Sequence, residues 1–187
     1  MLLRASKSIV NREPHLIPSH EYYGGEIFKN NQKIEQVCQL INLELDPNSE
    51  SPAERIIFLN NKSYLLENSH HILGCTLWSR IPSEEWNEVA VIMNDYSTIH
   101  INRDYPNGFA TVLTVSDTVQ LHSESVSWLK SEIESAKTRG EKVTILTHHS
   151  PSRLGLDPRE ANSLVKHAYY TDLEHLMGEN VNAWFVV

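Results

Sequence analysis

The sequence predicts a single domain of the α/β class, and three observations carry that reading. From Ser123 onward, four elements alternate as helix, strand, helix and strand, the order of a layered α/β fold. The chain has 187 residues, the size of one domain and long enough to bury a sizeable core. Hydrophobic residues make up 40%, aromatic residues are well represented, and Gly 7 with Pro 8 excludes a collagen-like or low-complexity chain.

Along the chain, residues 1–19 are interrupted by Pro14 and Pro18 and read as irregular or as a strand end. Gly24-Gly25 is a turn. Ile27, Ile34, Val37, Cys38 and Ile41 recur at helical spacing, which predicts an amphipathic helix from Glu26 to about Leu43. The polar stretch Asp46 to Pro52 is a loop. Three strand-like runs follow: Arg55–Leu59, Ser63–Glu67 and His70–Cys75. The gaps Asn60-Asn61 and Asn68-Ser69 predict hairpins. Ser83 reads as the N-cap of a helix reaching about Asn94. Asn107-Gly108 is a turn. A second amphipathic helix is expected from Ser123 to Arg139, with Val126, Leu129, Ile133 and Ala136 on one stripe and Gly140 as its stop. Lys142–Thr147 and Asn182–Val187 read as buried strands. Between them, Thr171 to Met177 reads as a short helix capped by Thr171 and ended by Gly178.

The charge is −8, with a pI near 5.6. An acidic chain without a basic stripe speaks against sequence-independent nucleic-acid binding, which needs Lys and Arg to displace counterions. It speaks in the same direction against docking on an anionic membrane. No apolar run is long enough for a membrane span, and the first ten residues lack the hydrophobic region of a signal peptide. Cys38 and Cys75 form no Cys-x-x-Cys motif and read as buried thiols, which fits a reducing compartment. A cytoplasmic protein is expected.

The segment richest in chemistry is Thr147-His148-His149-Ser150-Pro151-Ser152, directly after the apolar strand. In open α/β sheets, functional residues collect beyond the carboxyl ends of strands. A His-His pair there serves either packing and loop hydrogen bonding or metal ligation through neutral imidazole. A second segment, Ile17-Pro18-Ser19-His20-Glu21-Tyr22-Tyr23-Gly24, sets His beside Glu on a turn. Alone it reads equally as a surface turn with aromatic packing.

In order along the chain, these segments resemble the calcineurin-like metallophosphoesterase family. Pro18-Ser19-His20-Glu21, with Tyr22-Tyr23-Gly24, is similar to that family's Gly-Asn-His-Glu segment. Cys75-Thr76-Leu77-Trp78-Ser79 is similar to a Gly-Thr-Thr-Leu-Trp-Ser stretch of bacterial-type members. Thr147-His148-His149-Ser150-Pro151 resembles the later strand-end His. Asp172-Leu173-Glu174 and Val181-Asn182-Ala183-Trp184 resemble the run into the last motif. The likeness spans about residues 17 to 187.

The resemblance implies a four-layer αββα sandwich of the metallo-dependent phosphatase type. It implies a pair of divalent metals (manganese, iron or zinc) that activate water against a phosphoester. His148 is then a metal ligand and His20 a proton or hydrogen-bond donor to the phosphate or leaving group, with Glu21 orienting it. His149 is a neighbour of the metal shell, and Trp78 is the aromatic best placed to touch substrate.

The departures from the pattern shape the expectation. Asp-x-His and Gly-Asp-x-x-Asp do not precede residue 17, and Ser19 and Pro18 stand where the family has Asn and Gly. The final Gly-His-x-His is not reached by Val187. Residues 1–187 are therefore expected to form one domain without its first βαβ portion and its last metal motif. The metal pair is correspondingly doubtful in this chain, and phosphoesterase activity of the chain alone is expected to be negligible. The alternative is a non-catalytic scaffold or interaction protein built on the same fold. Self-association through sheet edges left exposed is a further expectation. A serine or cysteine hydrolase is disfavoured, since no Gly-x-Ser-x-Gly is present.

Overall fold

The computed structural model describes residues 2–4, 14–15, 19–45, 47, 56–66 and 68–186, the first two stretches and residues 19–20 by backbone alone. The protein is of mixed α/β class, and its centre is a mixed four-stranded sheet. The strands are β4 (Lys62–Leu66), β5 (His70–Cys75), β8 (Lys142–Thr147) and β9 (Val181–Val186), in the order β4-β5-β8-β9. β5, β8 and β9 run parallel, and β4 joins antiparallel through a hairpin. Asn68 and Ser69 of that hairpin have φ of 65° and 56°. Leu66 pairs with His70, so three residues connect the strands, and positive φ at Asn68 is one that Asn tolerates.

Period-two alternation decides which side chain meets which layer. Leu73 and Cys75 of β5, with Val143 and Ile145 of β8, face Leu129, Ile133 and Ala136 of helix α4 (Val115–Thr138). Ile72 and Leu146 point the other way and pack with Leu59, Ile57 and Tyr64. With both faces covered, β5 and β8 read as nearly continuous apolar runs, as parallel strands do.

A second sheet pairs β1 (Leu2–Arg4) antiparallel with β2 (Pro14–His15) on one side and β3 (Ile56–Phe58) on the other. The expected hairpin across Asn60-Asn61 is therefore corrected. β3 pairs with β1, and Asn61 at φ 49° turns the chain from one sheet to the other. Helix α1 (Ile27–Leu45) sits beside this sheet. The Asn42 amide bonds both the carbonyl (2.9 Å) and the N–H (3.0 Å) of Ile56. Buried Glu26 accepts from the N–H groups of Phe28 and Lys29, supplying the N-terminal cap of α1. Of the expected α1 stripe, Ile27 and Cys38 are buried, while Val37 is exposed.

Other boundaries move for local reasons. α4 begins eight residues before Ser123, because Thr114 and Asp117 form a capping box. His122 is consequently a buried mid-helix residue. Ser83 does not cap the next helix: its hydroxyl bonds Glu84, a short 3-10 turn covers Ser83–Glu85, and α2 spans Trp86–Ile92. A separate turn of helix, α3, spans Asp95–Thr98, and the short strands β6 (His100–Ile101) and β7 (Thr111–Val112) pair antiparallel after it. The segment expected as a helix capped by Thr171 is a 3-10 turn at Glu174–Leu176. The Thr171 hydroxyl instead accepts from the Arg80 N–H. β9 lies at a sheet edge, so it is only half covered, with Phe185 53% exposed. Gly140 does end α4, at φ 70°. Both cysteines are buried free thiols. No helix among the described residues is long and apolar enough to cross a membrane.

Candidate functional site

The carboxyl ends of β5 and β8 lie side by side, with Cys75 opposite Thr147. Beyond them, two loops are fastened together. The N–H of His149 donates to the Thr76 carbonyl (3.3 Å), and His149 Nδ1 donates to the same oxygen (3.2 Å). A ring nitrogen facing a carbonyl must carry the proton, so Nε2 of neutral His149 keeps the lone pair. The His149 ring lies 5.4 Å from the Trp78 ring and 5.0 Å edge-on to His148.

The loop after β5 holds two consecutive non-glycine residues in the left-handed region, Leu77 at φ 72° and Trp78 at φ 52°. Each such residue costs roughly 1–2 kcal/mol, so packing must hold the conformation. Leu77 is fully buried, Trp78 is 5% exposed, and His122 reaches from α4 to donate through Nδ1 to the Leu77 carbonyl (3.0 Å). From the side of β9, Trp184 Nε1 donates to Thr147 Oγ1 (2.9 Å), which itself donates to the His149 carbonyl (2.8 Å). Next to it, Ser150 exchanges backbone bonds with Tyr169 and Thr171.

Burial dominates the electrostatics. It pushes His149 down to about 3, helped by the neighbouring charge of His148. It also lowers His122, against the opposing bonds to the Leu77 and Trp78 carbonyls. Burial lifts the Cys75 thiol to about 12, so this thiol is inert at neutral pH.

Two cavities meet at the His pair. One, of about 420 Å³, is lined by Tyr23, Met93, Asp95, His148, His149 and Tyr169, among others. The other, of about 290 Å³, shares His148, His149 and Tyr169 and extends to Asp157 and Glu160. The expected site residues distribute unevenly around them. His148 and His149 line both cavities. The His20 backbone belongs to a 3-10 turn over Ser19–Tyr22, and its side chain lies outside the described residues. Tyr23, directly after that turn, reaches the larger cavity. Glu21 is exposed, its carbonyl held by Asn30, and it lines neither cavity. Trp78 lies behind His149, in a core cluster with Tyr22, Ile27 and Ile99.

Asp95 and Tyr169 were not singled out by the sequence. No motif marks them, and only the Asp at the start of a short helical stretch was there to be read. Among the described residues, no group of three or more His, Cys, Asp or Glu is arranged to hold a metal ion.

No known family profile matches the chain, and no solved structure matches it. The chain is similar to the protein named Uncharacterized protein L509 of Acanthamoeba polyphaga mimivirus. The two are 30% identical over 178 residues, covering 89% of this chain and 57% of the viral protein. The chain thus spans somewhat over half the length of that curated relative.

Proposed function

We propose that the chain is a calcineurin-like phosphoesterase domain protein whose described residues carry only part of a metal centre. One observation carries the reading. The turn at residues 19–23 and the His148-His149 pair, far apart in sequence, meet at one cavity through Tyr23. In the resemblance, the corresponding segments serve one phosphoester site. The arrangement of layers supports the same reading as a four-layer αββα sandwich. α4 covers one face of the mixed sheet, Ile57 of β3 and Leu59 pack against the other, and α1 bonds to β3. In this reading His148 is a metal ligand, His20 a proton donor oriented by Glu21, and His149 the group that fixes His148 in place.

A non-catalytic binding protein on the same fold is the second reading, favoured by Pro18 and Ser19, which stand where the resemblance has Gly and Asn. Elemental analysis after incubation with manganese or zinc, beside turnover of an aryl phosphate, tests both. The expected result is fewer than two ions per chain, less metal in His148→Ala, and turnover at the blank. Equal metal in wild type and His148→Ala overturns the ligand role. Turnover well above blank that His148→Ala abolishes overturns the partial centre and the binding-protein reading together.

A further inference from the structure

The larger cavity carries a feature that the phosphoesterase reading does not use. Asp95 is 6% exposed and lines this cavity. Among the described residues, its carboxylate accepts one hydrogen bond, a long one of 3.3 Å from the Tyr23 hydroxyl. A buried carboxylate normally takes two or three short bonds or an ion pair, because its desolvation is otherwise uncompensated. No ion pair reaches Asp95 among the described residues. Burial, Glu160 and Asp95 all raise the Tyr169 hydroxyl, and burial with Asp95 raises that of Tyr23. Both tyrosines therefore lie within electrostatic reach of this carboxylate. Asp95, Asp157 and Glu160 line the two joined cavities, and no Lys or Arg does among the described residues. Among the described residues, the cation bound to these acids is Arg159, which pairs with Asp157 at the surface.

We propose that the 420 Å³ cavity binds the organic ammonium group of a small molecule, with Asp95 as counter-charge and Tyr23 and Tyr169 as its aromatic neighbours. The chemistry fits each component. A buried carboxylate without a cation gains most from a positive ligand, and aromatic rings favour weakly hydrated ammonium groups. The acidic lining disfavours an anion at this end of the site. The proposal shares the cavity and Tyr23 with the phosphoesterase reading, but it needs no metal at His148, because its counter-charge is Asp95.

Titration of the purified full chain with choline and with ethanolamine, followed by NMR shifts or calorimetry, tests it. The neutral choline isostere 3,3-dimethylbutan-1-ol is the control. Saturable binding of at least one ammonium compound is expected, about tenfold weaker for the neutral isostere and for Asp95→Asn. Tyr23→Leu alters a residue that is 37% exposed and keeps the test decisive should Asp95→Asn fold poorly. It is expected to weaken binding as well. His148→Ala, in the wall shared with the metal reading, is expected to lose metal yet keep the preference for ammonium over the neutral isostere, which separates the two readings. Choline bound better than ethanolamine identifies a quaternary ligand, and the reverse order a primary amine. No saturable binding of either compound, equal binding of the neutral isostere, or full affinity in Tyr23→Leu overturns the proposal.

Discussion

The molecule carries two His-His pairs at opposite ends of the same parallel strands. At the amino end, His70 and His71 open β5. His70 Nε2 meets Thr144 Oγ1 at 2.8 Å, and His71 Nε2 meets Glu141 Oε2 at 2.8 Å, with Arg139 on the same carboxylate. At the carboxyl end, His149 is held by a backbone carbonyl, backed by Trp78 and opened toward a cavity with His148. The first pair reaches side chains that sit at the surface of the sheet. The second is also half-buried, but it rests against the buried Trp78 and lines a cavity. In a parallel sheet, this contrast is the general asymmetry between an end that closes the fold and an end that offers a site. Four substitutions or conditions separate the two ends.

The largest effect is expected from Trp78→Ala. It removes a nearly buried indole from behind His149 and from the cluster with Tyr22 and Ile99. A loss of about 3–5 kcal/mol in urea unfolding is expected. Reorientation of the His149 ring, read by NMR, is expected with it. A loss below about 1 kcal/mol would mean that the carboxyl end is not core-supported and would dissolve the contrast.

Acid comes next. His149 titrates near 6.5 when unfolded and near 3 when folded, so the unfolded chain takes up the proton first. The full stability is present above pH 6.5 and is lost as pH falls toward 3, by about 2 kcal/mol at pH 5. His122, also lowered, pushes in the same direction. At the amino end, Arg139 and His71 hold Glu141 low against its desolvation. Its contribution is present above pH 4.5 and is lost only below that. Urea midpoints of metal-free protein between pH 8 and 4 are therefore expected to fall from pH 6.5, and His149→Gln is expected to flatten that fall. A fall that begins only at 4.5 would assign acid sensitivity to the wrong end.

Much of this contrast was invisible in the sequence, and the reasons are physical. His70-His71 and His148-His149 are the same dipeptide beside strands of similar composition. Which pair opens a strand and which follows one was legible, but that the two strands run parallel, setting the pairs at opposite ends of one sheet, is supplied by register alone. His70-His71 is half-buried and partnered, which no local pattern announces. The strands β5 and β8 and the stop at Gly140 were legible because alternation and glycine φ are local properties. Pairing of β3 with β1 across more than fifty residues was not. The start of α4 was written as Thr114-x-x-Asp117 but lies before the apolar stripe that marks the helix. Asp95 and Tyr169 join the cavity through tertiary approach, and no spacing announces that.

Thr147→Val sharpens the comparison from within β8. The hydroxyl is fully buried, accepts from Trp184 and donates to the His149 carbonyl. Valine keeps the shape and strands both partners, so a cost of about 1–3 kcal/mol is expected. The same substitution at Thr144, which lies nearer the amino end and is half-buried, removes one bond to His70. It is expected to cost less. Equal costs would remove the difference in burial from the explanation.

The smallest effect is expected from His70→Ala. Its ring loses one hydrogen bond, and the Thr144 hydroxyl left behind can be solvated because the pair is only part-buried. The net worth of such a bond is about 0.5–1.5 kcal/mol, and water returns some of it. The matching substitution, His149→Ala, removes a ring bond, the contact with Trp78 and the edge of His148 together. It also opens space between the loop after β5 and the 147–151 turn, which cannot collapse while Leu77 and Trp78 are held in left-handed conformation. Urea unfolding of the two variants should therefore rank His149→Ala well below His70→Ala in stability. A His70→Ala variant as destabilised as His149→Ala would show that both pairs are core devices, and the cavity beside His148 would lose its claim to be the functional end of the sheet.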